Sequence, residues 1–216
     1  MLRVRNIEVA IQSVQVLRGA SLELPTGMMA GLIGRNGAGK TTLMKSIMGI
    51  LRVQSGSIDL DNIDLEQLPV HGRSALGIGY MPEDRRLVPN LTVEENLLVP
   101  AWAIKAADAG ERLQRVYALV PELREVAPRR GLQLSGGQQK LAALGRALMA
   151  GTRLLLLDEP FEGVAPALAR RLVEVIHNLK GEGRSVLLSE SDLQHSESMV
   201  DRVFVIDRGM IAARGG

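Results

Sequence analysis

The sequence predicts an α/β domain in which helices cover both faces of a mainly parallel sheet. Two observations support this fold class. Short apolar strands alternate with helix-length segments at both ends of the chain, which is the pattern of parallel strands joined by helices. Between these ends, residues 84–150 are more charged and helical in pattern, which predicts an inserted helical subdomain. The 216 residues suffice for one large domain with such an insert.

The N-terminal part alternates between apolar runs and turns. One turn is marked by Pro25, Thr26 and Gly27, and Gly56 marks the turn of a surface hairpin. Residues 28–33 are apolar and uncharged, which predicts a buried strand. The elements predicted here are strands at 2–9, 14–24, 28–33 and 77–81, a helix at 40–51 and a hairpin at 55–64.

The insert and the C-terminal part carry clear helix signals. Thr92 and Glu95 have the spacing of a capping box, so a helix is predicted to begin there. Breaks in the insert are predicted at Pro100, Pro121 and Pro128. Beyond the insert, the predicted elements are strands at 153–157, 185–189 and 202–206, a helix at 166–180 and a short helix from residue 192.

The composition excludes several classes of protein. Aromatic residues are 2% of the chain and the net charge is +2, so nucleic-acid binding is not indicated. The chain has no cysteine, which excludes disulfides, zinc fingers and thiol catalysis. Its longest uncharged stretch, residues 24–34, is far shorter than the ~20 residues of a membrane-spanning helix. If the protein acts at a membrane, it must dock onto other subunits.

A complete phosphate-loop pattern lies between the third predicted strand and the first predicted helix. Glycines there let successive backbone N–H groups turn towards an anion, and the helix N-terminus adds its positive dipole end. Lys40 provides a charge for the β- and γ-phosphates, and Thr41 a hydroxyl for Mg²⁺. The residues predicted to contact nucleotide are Gly34, Arg35, Asn36, Gly37, Ala38, Gly39, Lys40, Thr41 and Thr42.

An acidic pair follows four consecutive leucines. The run 154–157 predicts a strand that is buried on both faces and ends at Asp158 and Glu159. Ligands bind at this carboxyl edge in open parallel sheets. Asp158 is therefore predicted to hold Mg²⁺ through water, and Glu159 to polarise the water that attacks the γ-phosphate.

A second glycine motif has two interpretations. Ser135 and Gln138 have the spacing of a capping box at the start of a helix. Alternatively, Ser135 and the amides of Gly136 and Gly137 form a second anion site at that helix N-terminus. Together with the phosphate loop, the helical insert and the acidic pair, in this order, the segment resembles the signature sequence of ABC ATPases.

The resemblance to ATP-binding subunits of ABC transporters covers the whole chain. It implies a P-loop ATP-binding core with a mainly parallel sheet, an antiparallel β subdomain and an inserted helical subdomain. The implied division is 1–83 and 151–216 for the core and 84–150 for the helical subdomain with the signature. In this family two such domains pair head to tail, and each signature contacts the ATP of the other domain. That contact would be made by Ser135, Gly136, Gly137 and Gln138.

The resemblance also implies the partners and the place of action. The partners are membrane subunits, a second ATP-binding domain and, indirectly, a solute-binding protein, at the cytoplasmic face of the cell membrane. The segments 81–97 and 158–166 are similar to ATPases of importers for branched-chain amino acids and related amides. ATPases that serve lipopolysaccharide export are similar too.

The function expected from this resemblance is Mg²⁺-dependent ATP hydrolysis that energises transport, most nearly by an importer. Three alternatives stay open. The first is a degenerate or regulatory ATP-binding subunit with weak hydrolysis. The second is the ATPase of a lipopolysaccharide-type exporter, and the third is a soluble mechanical ATPase. Proteins of the last class usually carry two ATPase domains or a long coiled-coil insert, and this chain has room for neither.

Two polar positions depart from the family pattern. Glu83 replaces the usual glutamine that touches Mg²⁺, and glutamate is frequent there in the importer branch. Ser191 aligns with the switch histidine that normally reaches the γ-phosphate; a serine can donate a hydrogen bond but is never cationic. Ser191 also has capping-box spacing to Gln194, and His195, one turn further on, is a weaker candidate for the histidine's role.

A third departure concerns the base of the nucleotide. Ile11 lies near the position where many members stack an aromatic ring on adenine. Ile11 or Val16 would provide an apolar contact without stacking. Two arginines that follow Glu83, Arg85 and Arg86, fit either coupling to membrane subunits or a solvated basic pair.

Overall fold

The computed structural model describes residues 1–214 and confirms the predicted fold class. The strands are β1 Leu2–Ile11, β2 Val14–Leu24, β3 Met29–Ile33, β4 Ser55–Leu60, β5 Ile63–Asp64, β6 Ile78–Met81, β7 Leu154–Asp158, β8 Ser185–Glu190, β9 Arg202–Asp207 and β10 Met210–Arg214. The helices are α1 Lys40–Ile47, α2 Val70–Ala75, α3 Val93–Ala103, α4 Ala109–Leu119, α5 Glu122–Glu125, α6 Gly136–Ala150 and α7 Pro166–Leu179. Short 3₁₀ turns lie at Leu65–Gln67, Gly131–Gln133 and Lys180–Glu182.

Two sheets build the core. The larger has the strand order β10-β9-β3-β8-β7-β6, in which every pair is parallel except the terminal β10–β9 pair. The smaller is antiparallel, in the order β2-β1-β4-β5. Because β3, β8 and β7 are parallel neighbours, their carboxyl ends meet at one edge of the larger sheet.

The central strand β7 is buried on both faces, as its four leucines predict. Leu154 and Leu156 belong to the core that the larger sheet shares with α1 and the antiparallel sheet. Leu155 and Leu157 belong to the core shared with α6, α7 and the other helices of the insert. One strand thus joins the two cores, because successive side chains of a strand point to opposite faces.

The predicted start of α3 is confirmed at the level of single hydrogen bonds. The Thr92 hydroxyl accepts a hydrogen bond from the Glu95 amide at 3.1 Å. In return, the Glu95 carboxylate accepts one from the Thr92 amide at 2.7 Å. These contacts satisfy two amides that have no partner within the helix.

Helix α1 is shorter than the sequence predicts. It ends at Ile47 rather than at residue 51, because Gly49 takes the left-handed backbone, with φ 73°, that terminates helices. The chain is still anchored there, since the amide of Gly49 donates to the carbonyl of Ser46 at 2.9 Å. None of the helices in residues 1–214 is long and apolar enough to cross a bilayer.

The short helix predicted from residue 192 is wrong. Residues 191–199 form bends and turns. The Gln194 amide donates to Asp192 Oδ1 at 3.0 Å, so the capping box predicted between Ser191 and Gln194 does not form. A turn closed by the aspartate side chain competes with the helix here, as is common for Asp and Asn.

Candidate functional site

The phosphate loop joins β3 to α1 at the carboxyl edge of the larger sheet. Gly39 caps α1 with φ 116°, and a Cβ there would lie 2.9 Å from Leu17 Cδ2, so only glycine fits. A Cβ at Gly34 would clash with the carbonyl oxygen of Ile206. The loop therefore packs closely against β2 and β9, which holds its backbone in a compact turn before the helix.

Lys40, the first residue of α1, turns back over this loop. Its side chain is 5% exposed, and its ammonium donates to the carbonyl oxygens of Gly34 and, at 3.3 Å, Arg35. The same nitrogen lies 3.0 Å from Glu159 Oε1. The fold thus brings together the loop lysine and the second acid of the acidic pair, which are far apart in the sequence.

Asp158, at the end of β7, is buried and accepts three hydrogen bonds. The Thr41 hydroxyl donates to Oδ1 at 3.1 Å, and the Ser189 hydroxyl donates to the same oxygen at 2.8 Å. The Tyr80 hydroxyl donates to Oδ2 at 3.2 Å. Burial raises the pKa of Tyr80 above its usual range, and the Asp158 charge raises it further. The tyrosine therefore keeps its proton for the carboxylate.

Tyr80 and Ser189 were not predicted as site residues from the sequence. A sequence signal for Ser189 exists, because the residue ends a predicted strand. It therefore lies at the same edge of the sheet as Asp158. Tyr80 pairs with Leu156 across β6 and β7, and that register is not visible in the sequence. Both residues orient the carboxylate of Asp158.

Glu159 occupies a constrained position. Its φ of 47° lies in the left-handed region, which is unfavourable for a residue with a side chain and is often found at functional sites. The Glu159 amide donates to the Ser189 hydroxyl at 3.1 Å. Burial raises the pKa of the Glu159 carboxyl, and Lys40 partly offsets this. Its buried Oε1 is paired with the Lys40 ammonium as an ion pair, 3.0 Å away.

A cleft of about 460 Å³ opens between these groups. Ile11 and Val16 give the cleft an aliphatic lining, and Glu83 and Glu162 add two carboxylates to it. Burial raises the pKa of Glu83, and the nearby charges of Glu162 and Asp158 raise it further. The cleft therefore combines an anion-binding loop with several clustered carboxylates. Of these, Glu162 was not predicted as a site residue from the sequence. The lining residues are Ile11, Val16, Asn36, Gly37, Gly39, Lys40, Thr41, Thr42, Glu83, Glu159 and Glu162.

Three other residues of the predicted phosphate loop do not line this cleft. Gly34, Arg35 and Ala38 line a second, open cavity of about 610 Å³ between the phosphate loop and β9. Their backbone belongs to the same turn, and the Ala38 amide donates to the Arg35 carbonyl at 3.0 Å. Gly34, Arg35 and Ala38 therefore border this second cavity, whereas Asn36 and Gly37 line both cavities.

The second glycine motif lies outside this cleft. Ser135 caps α6: its hydroxyl accepts from the Gln138 amide at 3.3 Å, and the Gln138 side chain accepts from the Ser135 amide at 3.0 Å. The capping interpretation is therefore confirmed. Ser135 and Gly136 are exposed and Gly137 and Gln138 half-buried, so the motif also presents a free surface.

Ser191 lies beside the phosphate loop, where its hydroxyl donates to Asn36 Oδ1 at 3.3 Å. His195 packs its ring against Phe161, with 5.3 Å between the ring centroids. Ser191 and His195 both line a small neighbouring cavity of about 150 Å³, together with Glu159 and Glu190. Ser191, rather than His195, therefore reaches the loop itself.

The oxygen groups of the cleft fit Mg²⁺ bound together with a phosphate. Thr41 Oγ1 and Asp158 Oδ1 are hard donors at the foot of the loop. Mg²⁺ commonly takes only one or two protein oxygens and fills its other positions with water and phosphate. In the described part of the chain, no group of three or more His, Cys, Asp or Glu side chains forms a protein-only metal cage. Glu83 supplies a further carboxylate in the lining of the cleft.

Comparisons with known proteins agree with this geometry. A family model described as ABC transporter matches residues 17–162. The chain is 36% identical over 98% of its length to the high-affinity branched-chain amino acid transport ATP-binding protein BraG of Pseudomonas aeruginosa, covering 91% of that protein. It is 32% identical over 99% of its length to the lipopolysaccharide export system ATP-binding protein LptB of Escherichia coli, covering 90% of that protein.

A solved structure shows the same fold. A nucleotide-free ATP-binding cassette from an ABC transporter superposes with a TM-score of 0.86 at 29% sequence identity. The match covers 100% of this chain and 91% of the other. The arrangement of core, antiparallel sheet and helical insert is therefore shared along the whole chain.

Proposed function

The chain belongs to the ABC transporter family of ATPases, and from this premise we propose that it hydrolyses Mg²⁺-ATP in the cleft between the phosphate loop and Glu159. The observation that carries the proposal is the contact between Lys40 and Glu159, 3.0 Å apart at the carboxyl edge of the sheet. An anion-binding loop and a buried carboxylate face each other across one cleft. That is the pairing that water attack on a bound phosphate requires.

Glu159 acts as the base. Burial raises the pKa of its carboxyl, and a carboxylate with a higher pKa is a stronger base for a proton of water. A triphosphate in the loop competes with Glu159 for the ammonium of Lys40, because both are anions. Glu159 Oε1 is then free to orient water towards the γ-phosphate. Ser191, next to Asn36, supplies a neutral hydroxyl at the place of the family's histidine.

Thr41 and Asp158 would hold Mg²⁺ in this site. When bound, the ion neutralises part of the charge on the phosphates. Tyr80 and Ser189 fix the Asp158 carboxylate by donating to its two oxygens, at 3.2 and 2.8 Å. This arrangement orients the ligand before the nucleotide arrives, so less ordering is needed on binding.

A second ATP-binding domain completes the site. The signature residues Ser135 and Gly136 are exposed and lie outside the cleft that contains Lys40. They are available to the nucleotide of another copy or of a homologous chain in a head-to-tail pair. The helix N-terminus behind them adds the dipole that favours a phosphate.

Membrane subunits dock in a groove between the core and the helical insert. The groove measures about 350 Å³, and its lining combines apolar side chains with the basic residues Lys45, Arg86 and Arg146. Ile50 and Val70 leave 45% and 41% of their surfaces exposed there. A short apolar segment with acidic ends fits this chemistry, and its docking places the chain at the cytoplasmic face of the membrane.

The transported solute is a branched-chain amino acid or a related polar compound, taken up with the help of a solute-binding protein. The similarity to BraG, at 36% identity, supports this choice. Lipopolysaccharide export is the second candidate, which the 32% identity to LptB favours. Reconstitution with the membrane subunits and a radiolabelled branched-chain amino acid separates the two, since only the importer accumulates label in ATP-loaded vesicles.

The hydrolytic proposal is tested by phosphate release from Mg²⁺-ATP by the purified chain. Glu159→Gln is the matched control, because it keeps the shape of the side chain and removes the base. The variant is expected to lose at least about 100-fold in turnover while still binding ATP. Binding without turnover by the wild-type chain, both alone and with its membrane subunits, would instead identify the degenerate, regulatory subunit.

A further inference from the structure

Lys140 is a buried charge that the proposed reaction leaves unexplained. It lies on α6, one turn after Gly136, and its residue surface is 1% exposed. Its ammonium donates to the carbonyl oxygen of Glu159 at 2.8 Å and to that of Glu162 at 3.2 Å. Both carbonyls belong to the turn between β7 and α7. A lysine of the signature helix thus holds the backbone that carries Glu159.

Burying this lysine is costly, so its contacts have to compensate for it. Burial lowers the pKa of Lys140, and the charge of Arg85 lowers it further. The carboxylates of Glu162, Glu83 and Glu159 act in the opposite direction. A methionine would fill the same space at a lower desolvation cost, since replacing buried ionic groups by apolar ones is often neutral or stabilising. The lysine is therefore not needed merely to fill the core.

The turn that Lys140 contacts is a strained one. Glu159 has φ 47°, a conformation that persists only where surrounding contacts impose it. Its carbonyl also accepts the Glu162 amide at 3.2 Å, so Lys140 reinforces an existing turn. The turn aims the Glu159 side chain into the cleft towards Lys40.

We infer that Lys140 is a positioning residue, which holds Glu159 in its left-handed conformation and ties it to the signature helix. The inference rests on the proposed hydrolysis and names a residue that this reaction needs. Loss of the two hydrogen bonds lets the turn relax and moves the Glu159 carboxylate away from the attacking water. A misplacement of about 1 Å in an active site can slow catalysis about 100-fold.

The test compares variants of the full chain at saturating Mg²⁺-ATP. Lys140→Met keeps the volume and removes the donors, and we expect turnover to fall at least about tenfold with an unchanged dissociation constant for ATP. Lys140→Gln keeps an NH₂ donor group and recovers part of the loss. Wild-type turnover in Lys140→Met, or equal losses in both variants, would overturn the inference.

A stability control separates positioning from unfolding. Leu148 is buried on the same helix and belongs to the core of the insert. Leu148→Ala leaves a cavity and lowers the unfolding temperature, but the turnover of the folded protein stays at the wild-type value. A Lys140→Met variant that loses turnover only in proportion to its unfolded fraction would contradict the positioning role.

Hydrogen exchange gives a readout that does not depend on turnover. The amide of Glu162 is protected by its bond to the Glu159 carbonyl, which Lys140 also holds. Lys140→Met should speed exchange at this amide, whereas Glu159→Gln should not. Faster exchange in a protein that never hydrolyses ATP would mean that the proposed function fails and the contact stands. Unchanged exchange would refute the contact's role even in an active ATPase.

Discussion

Glu190 shows how strongly burial acts on single side chains at the edge of the sheet. It ends β8, is 5% exposed and accepts a hydrogen bond from the Ser196 hydroxyl. Burial raises its pKa to about 7, and the charges of Glu159 and Asp192 add to the increase while Ser196 opposes it. The folded carboxyl thus keeps its proton well above the ordinary value of 4.5.

This shift makes the stability depend on pH. Between pH 4.5 and about 7 the folded state binds a proton that the unfolded state has released, so the free energy of unfolding falls as the pH rises. Glu190→Gln removes this loss. At pH 8 the variant is expected to be more stable by at most about 3 kcal/mol, and the gain shrinks towards pH 5. Thermal unfolding at both values checks this, and an equal difference at pH 5 and pH 8 would contradict it.

Helix α6 connects the acidic loops of the cleft. Arg146 donates to the carbonyl oxygens of Arg85 and Arg86, each at 2.6 Å, and the Arg85 side chain donates to Gln139 at 3.2 Å. Arg85 and Arg86 have φ of 62° and 47°, so the loop after Glu83 is strained as well. Lys140 holds the other loop from the same helix. The sequence left two interpretations of this arginine pair, coupling to membrane subunits or a solvated basic pair. Arg85 makes an internal contact, and Arg86 lines the proposed docking groove.

The Arg146 contacts can be tested by deletion. Arg146→Ala leaves two carbonyls without their charged donor and is expected to lower the free energy of unfolding by about 2 kcal/mol. Arg115→Ala is the control, since that side chain is 63% exposed and its ion pair with Glu111 spans 3.7 Å. Such a surface pair contributes less than about 1 kcal/mol. Urea denaturation measures both; equal losses would show that Arg146 does not stabilise the loop.

The elements that could be predicted from sequence are those with local signals. The phosphate loop, the capping box at Thr92 and the doubly buried strand β7 each depend on residues close together in the chain. Lys140 and Tyr80 were not predicted because their partners lie in distant segments. Ser189 was overlooked, although it ends a predicted strand and so lies at the carboxyl edge of the sheet. The false helix after Ser191 has the reverse cause: a local capping pattern was overridden by an equally local turn at Asp192.

At the scale of the whole molecule, the proposed docking groove between core and insert would connect the ATPase to transport. Ile50→Glu places a negative charge among the apolar residues of this groove. We expect the variant to co-purify more weakly with the membrane subunits of the transporter, with unchanged ATP turnover of the isolated chain. The side chain is 45% exposed, so the fold should tolerate the change. Ile63→Glu, on β5 with 38% exposure and outside the groove, is the control. Equal binding of the two variants to the membrane subunits would exclude this groove as the docking site.

The fold also supports the choice of one carboxylate as the proposed base. The parallel strands bring Asp158 and Glu159 to one edge of the sheet, and the cleft adds Glu83 and Glu162. Among these four carboxylates, that of Glu159 forms the ion pair with Lys40, at 3.0 Å. The fold therefore distinguishes two glutamates that are three positions apart and line the same cavity.

The most direct test is a single-turnover measurement of Mg²⁺-ATP cleavage by Glu159→Gln and Glu162→Gln side by side. Each variant removes one negative charge from the same cleft, so a general electrostatic effect changes both alike. The account predicts that Glu159→Gln binds ATP and cleaves it at least about 100-fold more slowly than the wild-type chain. Glu162→Gln should stay within about tenfold of the wild-type rate. Comparable rates in the two variants, or faster cleavage by Glu159→Gln, would contradict the assignment of Glu159 as the base.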